Sequence, residues 1–180
     1  YIVKASYGHI RDLGKGLEAI DISNNYLPKY IVTPSKKKVV SELKKYAKKA
    51  DEVIIASDLD REGEAIGFHV AIVLGLDVNT TKRIVFNQIT RKAVQKAIEN
   101  PRLLDKNLYN AQQARRILDR LLGFTVSPVL WKYVRHALSA GRCQSPALNL
   151  IYDKKKEILS KTSSSSVFSI QGEFNFTDIN

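Results

Sequence analysis

The chain has 180 residues, 44% of them hydrophobic, which is enough for a substantial core and argues against a disordered protein. Its 29 Lys and Arg residues outnumber 18 Asp and Glu, and the formal net charge of +11 favours a polyanionic partner, nucleic acid before a membrane surface. No apolar run approaches the ~18 residues that cross a bilayer, and a single cysteine, Cys143, excludes an internal disulfide and suits an intracellular location.

The first third of the chain begins with extended segments. Residues 1–6 predict a strand, residues 7–16 a loop, and residues 30–34 a short extended segment that Pro34 ends. A helix is then predicted from Pro34–Ser35 onward, with lysines on its outer face. Its apolar positions recur at three- and four-residue spacing: Val39, Val40, Leu43, Tyr46 and Ala47.

The next elements alternate between strand and helix. Residues 52–57 form a continuous apolar run, typical of a parallel strand buried on both faces. A helix over residues 62–74, a strand over 83–86, and a helix after Thr90, which is a plausible N-cap, complete the pattern. This alternation predicts an α/β fold with a parallel sheet and flanking helices.

After Pro101 the pattern becomes helical. One long amphipathic helix is predicted over residues 107–124, and two more over 127–138 and 144–159. Residues 163–166 are predicted to form a linker, and a strand-like run follows at 167–176. We therefore expect an α/β domain at 1–102, part of an all-α region at 103–160, and a linker with the start of a β domain at 161–180.

Four acids gather in the segment IIASDLDREGEAIG although the chain is basic. Asp58 and Asp60 follow a predicted buried strand, where parallel sheets host ligands, and Glu62 begins the next helix. Three converging carboxylates require a cation between them, and oxygen ligands suit Mg²⁺. Two alternatives remain: the acids complement the helix dipole, or Arg61 neutralises them. Glu64 falls off this spacing and is interpreted as a helix or phosphate-positioning residue.

Five segments resemble type IA DNA topoisomerases, in that family's order. ASDLDREGEAIGFH resembles the acidic motif of its Toprim domain, a Rossmann-like parallel sheet with flanking helices. SYGHIRDL and RIVFNQIT resemble its neighbouring Toprim segments, and NAQQARRILDRLLGFTVSPVLW and LSAGRCQSPAL resemble its helical DNA-binding domain. The D-x-D pattern is shared with primases, type II topoisomerases and nucleases, whereas the last two segments are typical of type IA enzymes.

The resemblance implies roles for particular residues. Asp58, Asp60 and Glu62 would hold Mg²⁺ as catalytic acids, and His9 would lie near the catalytic centre. The residues implied to bind single-stranded DNA are Arg115, Arg116, Asp119, Arg120, Ser139, Gly141, Arg142, Gln144 and Ser145. From the residues alone, the arginines form a polar stripe on the helix that is suited to bind phosphates. The alternative is that this charged face of the helix only contacts solvent. The small residues after Leu138 form either a phosphate-binding loop or an ordinary turn.

The family cleaves and reseals one DNA strand through a 5′-phosphotyrosine, and parts of that machinery are not found here. None of the eight tyrosines has the Y-x-R-T-D-S-like context of the nucleophile; Tyr133 only imitates its start. The first Toprim strand with its glutamate is not found either, and Gln88 stands where the family usually has glutamate. We therefore expect a fragment that acts with the remaining domains of its parent enzyme.

Two other readings stay open at the level of sequence. A Toprim nuclease or primase-like enzyme would use water or a nucleotide in place of tyrosine, and would show metal-dependent nicking. A non-catalytic DNA-binding module would bind DNA with no effect of Mg²⁺. The ARR and SAGR segments favour the topoisomerase.

Overall fold

The computed structural model describes residues 1–161 and 168–173, and two compact units divide the chain between Ala140 and Gly141. The strands of the first unit are β1 Arg11–Leu13, β2 Ile20–Asp21, β3 Leu27–Pro28, β4 Tyr30–Val32, β5 Ile55–Ala56, β6 Lys82–Ile84 and β7 Arg102–Leu103. Its helices are α1 Lys37–Ala47, preceded by a 3-10 turn Pro34–Lys36, then α2 Arg61–Leu74, α3 Arg91–Glu99 and α4 Lys106–Tyr133. The second unit contains α5 Gln144–Lys161.

The α/β class is confirmed, with a sheet smaller than expected. Strands β5 and β6 pair in parallel, with Ile55 opposite Arg83, and helix α2 is the crossover between them. Strand β7 pairs antiparallel with β6 and was not predicted. It adds one edge strand just before the long helix α4. The acidic segment therefore leaves the carboxyl end of β5, as a ligand-binding loop of a parallel sheet does.

Two predictions at the start of the chain are wrong. Residues 1–6 form no strand, because no strand among the described residues pairs with them. The predicted loop contains β1, whose residues pair antiparallel with β4, Leu13 opposite Tyr30. The charged sequence Arg-Asp-Leu gives no strand pattern, so this strand could not be predicted. It is stabilised by long-range pairing with β4 and not by local propensity.

Helix α2 is the centre of the first unit. Apolar side chains of β5, α1, α2 and the segment before β1 form one core cluster: Ile10, Val40, Ile55 and Val70. On the other side of α2, Phe68 stacks on Tyr109 of α4, with ring centroids 4.3 Å apart. The helix ends at Gly75, whose φ of +75° is a left-handed C-cap. Burial on both sides therefore holds the middle of α2, and the acids lie at its N-terminal end.

Two predicted helices are one helix. The expected helices at 107–124 and 127–138 merge into the 28-residue α4, with Pro128 inside it. A proline normally interrupts a helix because it lacks an N–H donor. Here the chain folds back on the last turns: Ser127 Oγ accepts a hydrogen bond from the Ala140 amide at 3.2 Å, and Trp131 Nε1 donates to the Leu138 carbonyl at 2.5 Å. These contacts hold the helix together beyond the proline.

The remaining predictions meet the structure in part. Helix α3 begins after Thr90, whose side chain accepts from the Ala93 amide, as predicted. The predicted linker at 163–166 lies outside the described residues, and residues 168–173 have no regular secondary structure. The predicted domain limits near 102 and 160 stay a prediction. Over the described residues, no helix combines the length and apolar character that a membrane crossing requires.

Candidate functional site

The acidic loop, residues 58–62, is folded tightly over the start of α2. The Asp60 carboxylate is the N-cap and accepts a hydrogen bond from the Gly63 amide at 2.6 Å. A Cβ at position 63 would lie 2.2 Å from the Asp58 carbonyl oxygen, so only glycine fits there. Asp58 itself is exposed. Part of the acidity therefore serves the helix dipole, as the alternative interpretation held, while Asp58 stays open to solvent.

A buried ion pair lies directly under this loop. Arg83 of β6 donates to Glu64 of α2 at 2.6 Å, and both side chains are 0% exposed. Glu64 also accepts from Arg102 at 3.2 Å and from the Asp105 amide at 2.8 Å. Burial lowers the pKa of Arg83, and the neighbouring Glu64 charge opposes that shift. The paired charges connect α2, β6, β7 and the start of α4.

Arg83 also holds the backbone of the acidic loop. Its guanidinium group donates to Ser57 Oγ at 3.0 Å and to the Asp58 carbonyl at 2.5 Å. Ser57 Oγ in turn donates to the Gly63 carbonyl at 2.8 Å. Sequence reasoning missed Arg83, although a charged residue within the apolar run RIVF was a usable signal. Glu64 has the structural role that its irregular spacing suggested.

Glu62 faces two residues from distant parts of the chain. His9 Nε2 lies 3.3 Å from Glu62 Oε2, so the histidine implied by the resemblance does reach the acidic loop. Gln112 of α4 donates to the same carboxylate at 3.0 Å. Gln112 is 5% exposed, and its Oε1 has no hydrogen-bond partner among the described residues. Its contact was not predicted; the signal was its place one turn before Arg115 and Arg116.

The three predicted metal acids do not converge. Across the described part of the chain, no group of three or more His, Cys, Asp or Glu side chains is arranged to hold a metal ion. Asp60 caps α2 and Glu62 turns towards Gln112 and His9, which explains the difference. Mg²⁺ commonly takes only one or two protein carboxylates and completes its shell with water. The exposed Asp58 carboxylate beside Asp60 fits that chemistry, and a cage of three acids is not formed.

Two of the predicted DNA-binding arginines tie α4 to the β1 region. Arg116 Nη2 lies 2.7 Å from each carboxylate oxygen of Asp12. Partial burial acts against ionisation of Asp12, but the hydrogen bonds from Arg116 and the Leu13 amide outweigh it and lower the Asp12 pKa. Arg120 donates to the carbonyls of Gly14 and Gly16 at 3.0 and 3.2 Å. Both arginines therefore have protein partners in the β1 region, and their role in binding DNA stays a prediction.

Beside these arginines an open groove of about 570 Å³ runs along α4. Arg120 Cζ lies 5.4 Å from the centroid of the Phe124 ring, a cation–π arrangement. The lining residues are Arg116, Asp119, Arg120, Gly123, Phe124, Ser127, Pro128, Trp131, Ser139 and Ala140. Four of the predicted DNA-binding residues thus share one cavity that also contains aromatic rings. Arg115 is half-buried and lies off this groove.

The other predicted DNA-binding residues belong to the second unit. Gly141 donates its amide to Ser145 Oγ at 3.2 Å, and the Ser145 amide donates to the Gly141 carbonyl at 3.0 Å. Gly141, Arg142, Gln144 and Ser145 therefore surround the beginning of α5. A Cβ on Gly141 would meet the flexible end of the Gln144 side chain at 3.2 Å, so the Gln144 side chain would have to shift slightly. Their role in binding DNA stays a prediction.

A buried histidine joins β1 to α2 near this site. His69 is 2% exposed, Arg11 Nη1 lies 3.5 Å from its Nδ1, and the Tyr30 ring centroid is 4.4 Å from its own. Burial and the positive charge of Arg11 lower the pKa of His69 to about 4. The imidazole is therefore neutral at physiological pH and acts as a packing residue.

Comparison with known proteins gives two family matches and a structural one. Residues 1–89 match the model of the Toprim domain, and residues 103–179 match a model described as DNA topoisomerase. The solved structure of full-length topoisomerase I from Thermotoga maritima is 48% identical, with a TM-score of 0.77 over 86% of this chain. This chain covers 26% of that one, about a quarter of its length. The Toprim match, the topoisomerase match and the shared fold agree, and the chain belongs to the type IA DNA topoisomerase family.

Proposed function

We propose that the protein carrying this chain cleaves and reseals one strand of DNA, with the acidic loop and the groove on α4 forming its phosphate and strand-binding site. The observation that carries this proposal is the contact between the two: Gln112 of α4 reaches Glu62 at 3.0 Å, and Arg116 lies one turn further along the helix. A strand bound along α4 would therefore lead directly to Asp58, Asp60 and Glu62.

We propose single-stranded DNA as the substrate held in the groove. Proteins that bind single strands combine basic side chains for the phosphates with aromatic rings on which bases stack. Arg116 and Arg120 supply the first, and Phe124 and Trp131 supply the second. Since the two arginines already hold Asp12 and the Gly14 and Gly16 carbonyls, phosphate binding would compete with or extend these contacts.

We propose Mg²⁺ as the metal, with the exposed carboxylates of Asp58 and Asp60 as candidate ligands. Toprim domains in general bind metals, and the choice of Mg²⁺ rests on the all-oxygen donor set. When bound, the ion would supply positive charge against the phosphate during transesterification.

The chain's own residues would position the phosphate and move protons. In the proposed reaction a tyrosine hydroxyl gives up its proton to a base as its oxygen bonds to phosphorus, the bond from phosphorus to the 3′ oxygen breaks, and the 3′ oxygen takes up a proton. We expect the tyrosine to come from another part of the protein, since no tyrosine here has the nucleophile's sequence context. His9, 3.3 Å from Glu62, is the candidate for carrying that proton. The hydrogen bond from Arg83 to the Asp58 carbonyl keeps the acidic loop in place.

The test uses the full-length protein and supercoiled DNA. Relaxation should require Mg²⁺ and leave a cleaved strand covalently joined to protein at its 5′ end when the reaction is stopped with detergent. Asp58→Ala combined with Asp60→Ala should abolish Mg²⁺-dependent relaxation, whereas Lys154→Ala on α5 should not. Relaxation by the double variant in Mg²⁺ would overturn the proposed metal role. Nicking without any protein–DNA linkage would favour the nuclease instead. We further propose that this reaction takes place inside the cell.

A further inference from the structure

The outer face of α1 carries a dense group of lysines that the proposed site does not use. Seven lysines and one glutamate lie within residues 36–49, so this short segment holds more than half of the chain's net charge of +11. At 100° per residue, five of the lysines fall within about 120° of the helix circumference. These five, here called the lysine face, are Lys37, Lys38, Lys44, Lys45 and Lys48.

The lysine face is exposed, and no acidic side chain of residues 1–161 or 168–173 is paired with it. All five lysines are exposed, and within the described ranges none forms a salt bridge. The acid of α1, Glu42, is paired with Lys4 at 2.7 Å, and nearby Glu52 is paired with Lys82 at 2.7 Å. The carboxylates of the described residues therefore do not cancel this positive charge, and five like charges on three turns repel one another unless an anion lies against them.

The residue that precedes this face contacts the chain segment that reaches the acidic loop. Lys36, just before α1, donates to the Tyr7 carbonyl at 2.5 Å, and Tyr7 is two residues from His9, which reaches Glu62. From Lys37 to Lys48 the face extends about 16 Å along the helix at 1.5 Å per residue. A polyanion leaving the acidic loop on this side would therefore meet two groups of cations, Lys37 and Lys38 and then Lys44, Lys45 and Lys48.

The lysine face has charge without aromatic rings, and this composition favours double-stranded over single-stranded nucleic acid. Binding of single strands normally adds aromatic stacking to charge, and the aromatic residue of α1, Tyr46, is on another side of the helix, under Lys4, whose Nζ is 4.2 Å from the ring centroid. Lysine is a strongly hydrated point charge that suits phosphate without base readout. Duplex DNA offers one negative charge per about 1.7 Å of its axis, dense enough to match such a row.

We propose that the lysine face binds the phosphate backbone of duplex DNA next to the site where a single strand is held in the groove on α4. The inference rests on the proposed function and adds a second, sequence-independent contact to it. The duplex would be anchored by counterion release, so its binding should weaken steeply with salt.

The experiment measures binding of the full-length protein to a blunt duplex and, separately, to a single strand of equal length, over a range of salt concentrations. The test variant is Lys44→Gln, Lys45→Gln and Lys48→Gln together. The matched control removes the same three charges elsewhere, Lys154→Gln, Lys155→Gln and Lys156→Gln on α5. A third variant with arginine at positions 44, 45 and 48 keeps the charge. Unfolding curves of all three should match the unchanged protein, because these side chains are exposed.

If the lysine face binds duplex DNA, the plot of log binding constant against log salt concentration should become shallower in the test variant. The slope should change by up to about 2.7, since each of the three phosphate contacts contributes about 0.9. Single-strand affinity should be unchanged, and the arginine variant should retain the original slope. An unchanged duplex slope, an equal change in the α5 control, or an equal loss of single-strand binding would each overturn it. An Arg120→Gln variant separates single-strand binding in the groove from duplex binding by the lysine face. Loss of single-strand affinity with retained duplex affinity supports both proposals. Retained single-strand affinity contradicts the proposal for the groove and leaves the duplex result to decide the lysine face.

Discussion

Among single residues, the buried charges of Glu64 and Arg83 make the base of the acidic loop rigid. Glu64 and Arg83 are fully buried and share five hydrogen bonds with their surroundings and each other, so each is satisfied only while the other is present. The carboxylates that would act on a substrate lie one layer above, on a loop whose backbone Arg83 holds. A rigid buried pair thus supports a hydrated acidic surface.

Removing Glu64 alone should be severely destabilising. Glu64→Ala leaves the Arg83 guanidinium buried without its partner, and breaking such a pair costs about 3–5 kcal/mol of unfolding free energy. Urea unfolding measures this loss, and replacing both residues, Glu64→Leu with Arg83→Met, should restore much of it. The control Glu157→Ala removes an exposed carboxylate from α5 and should leave the midpoint unchanged. A Glu64→Ala protein as stable as the control would contradict the stabilising role of the buried Glu64–Arg83 pair.

The buried His69 predicts how stability depends on pH. Its pKa is about 4 in the folded protein and about 6.5 in the unfolded chain, so the unfolded chain binds more protons between these values. The free energy of unfolding should therefore fall as the pH drops from about 6.5 to 4, by about 3 kcal/mol from this residue. Comparing unfolding at pH 7 and pH 4 for the unchanged protein and His69→Gln isolates the effect. Equal pH dependence in both proteins would be incompatible with a neutral buried imidazole.

Sequence reasoning could name the residues of the candidate site that carry a pattern, and it could not name those whose contacts lie far apart in the chain. Asp60 and Glu62 follow a spaced motif, and His9 follows the family resemblance. Gln112 matters because α4 passes over Glu62, a contact fifty residues away that no local pattern encodes. The expected convergence of three acids was wrong for a local reason: a helix N-terminus competes for Asp60.

At the scale of elements, predictions succeeded where periodicity and caps agree. Helices α2 and α3 have apolar repeats and capping residues, and both were predicted to within about one residue. The short strands β1 and β7 were missed because two or three residues carry no readable period, and pairing across the chain creates them. The predicted break between residues 124 and 127 is absent, and α4 continues through Pro128 with tertiary hydrogen bonds on its last turns.

The start of α2 predicts a sharp contrast between two glycines. Gly63→Ala would place a Cβ 2.2 Å from the Asp58 carbonyl, so the acidic loop must shift, at a cost of about 1–3 kcal/mol. Gly123→Ala, in the interior of α4, meets its nearest neighbour at 3.9 Å and should stabilise the helix by up to about 1 kcal/mol. Thermal unfolding compares the two substitutions. A Gly63→Ala protein that melts no lower than the unchanged one would show that the loop does not need this close approach.

Over the whole molecule, acidic and basic side chains are concentrated in different regions. A chain with a net charge of +11 concentrates acids at one loop and cations on α1 and along the groove of α4. Composition predicted the polyanionic partner, and the family resemblance supplied its chemistry. The arrangement of the regions depends on contacts such as Glu62–Gln112 and Asp12–Arg116, which only the fold provides.

The central proposal is tested most directly by titrating the full-length protein with Mg²⁺ in the presence of a single-stranded oligonucleotide and following heat of binding. Unchanged protein should show a saturable site that Asp58→Asn combined with Asp60→Asn removes, while the oligonucleotide still binds through the groove on α4. The same magnesium binding in both proteins would contradict the account, because the ion would then be held by residues other than the acidic loop.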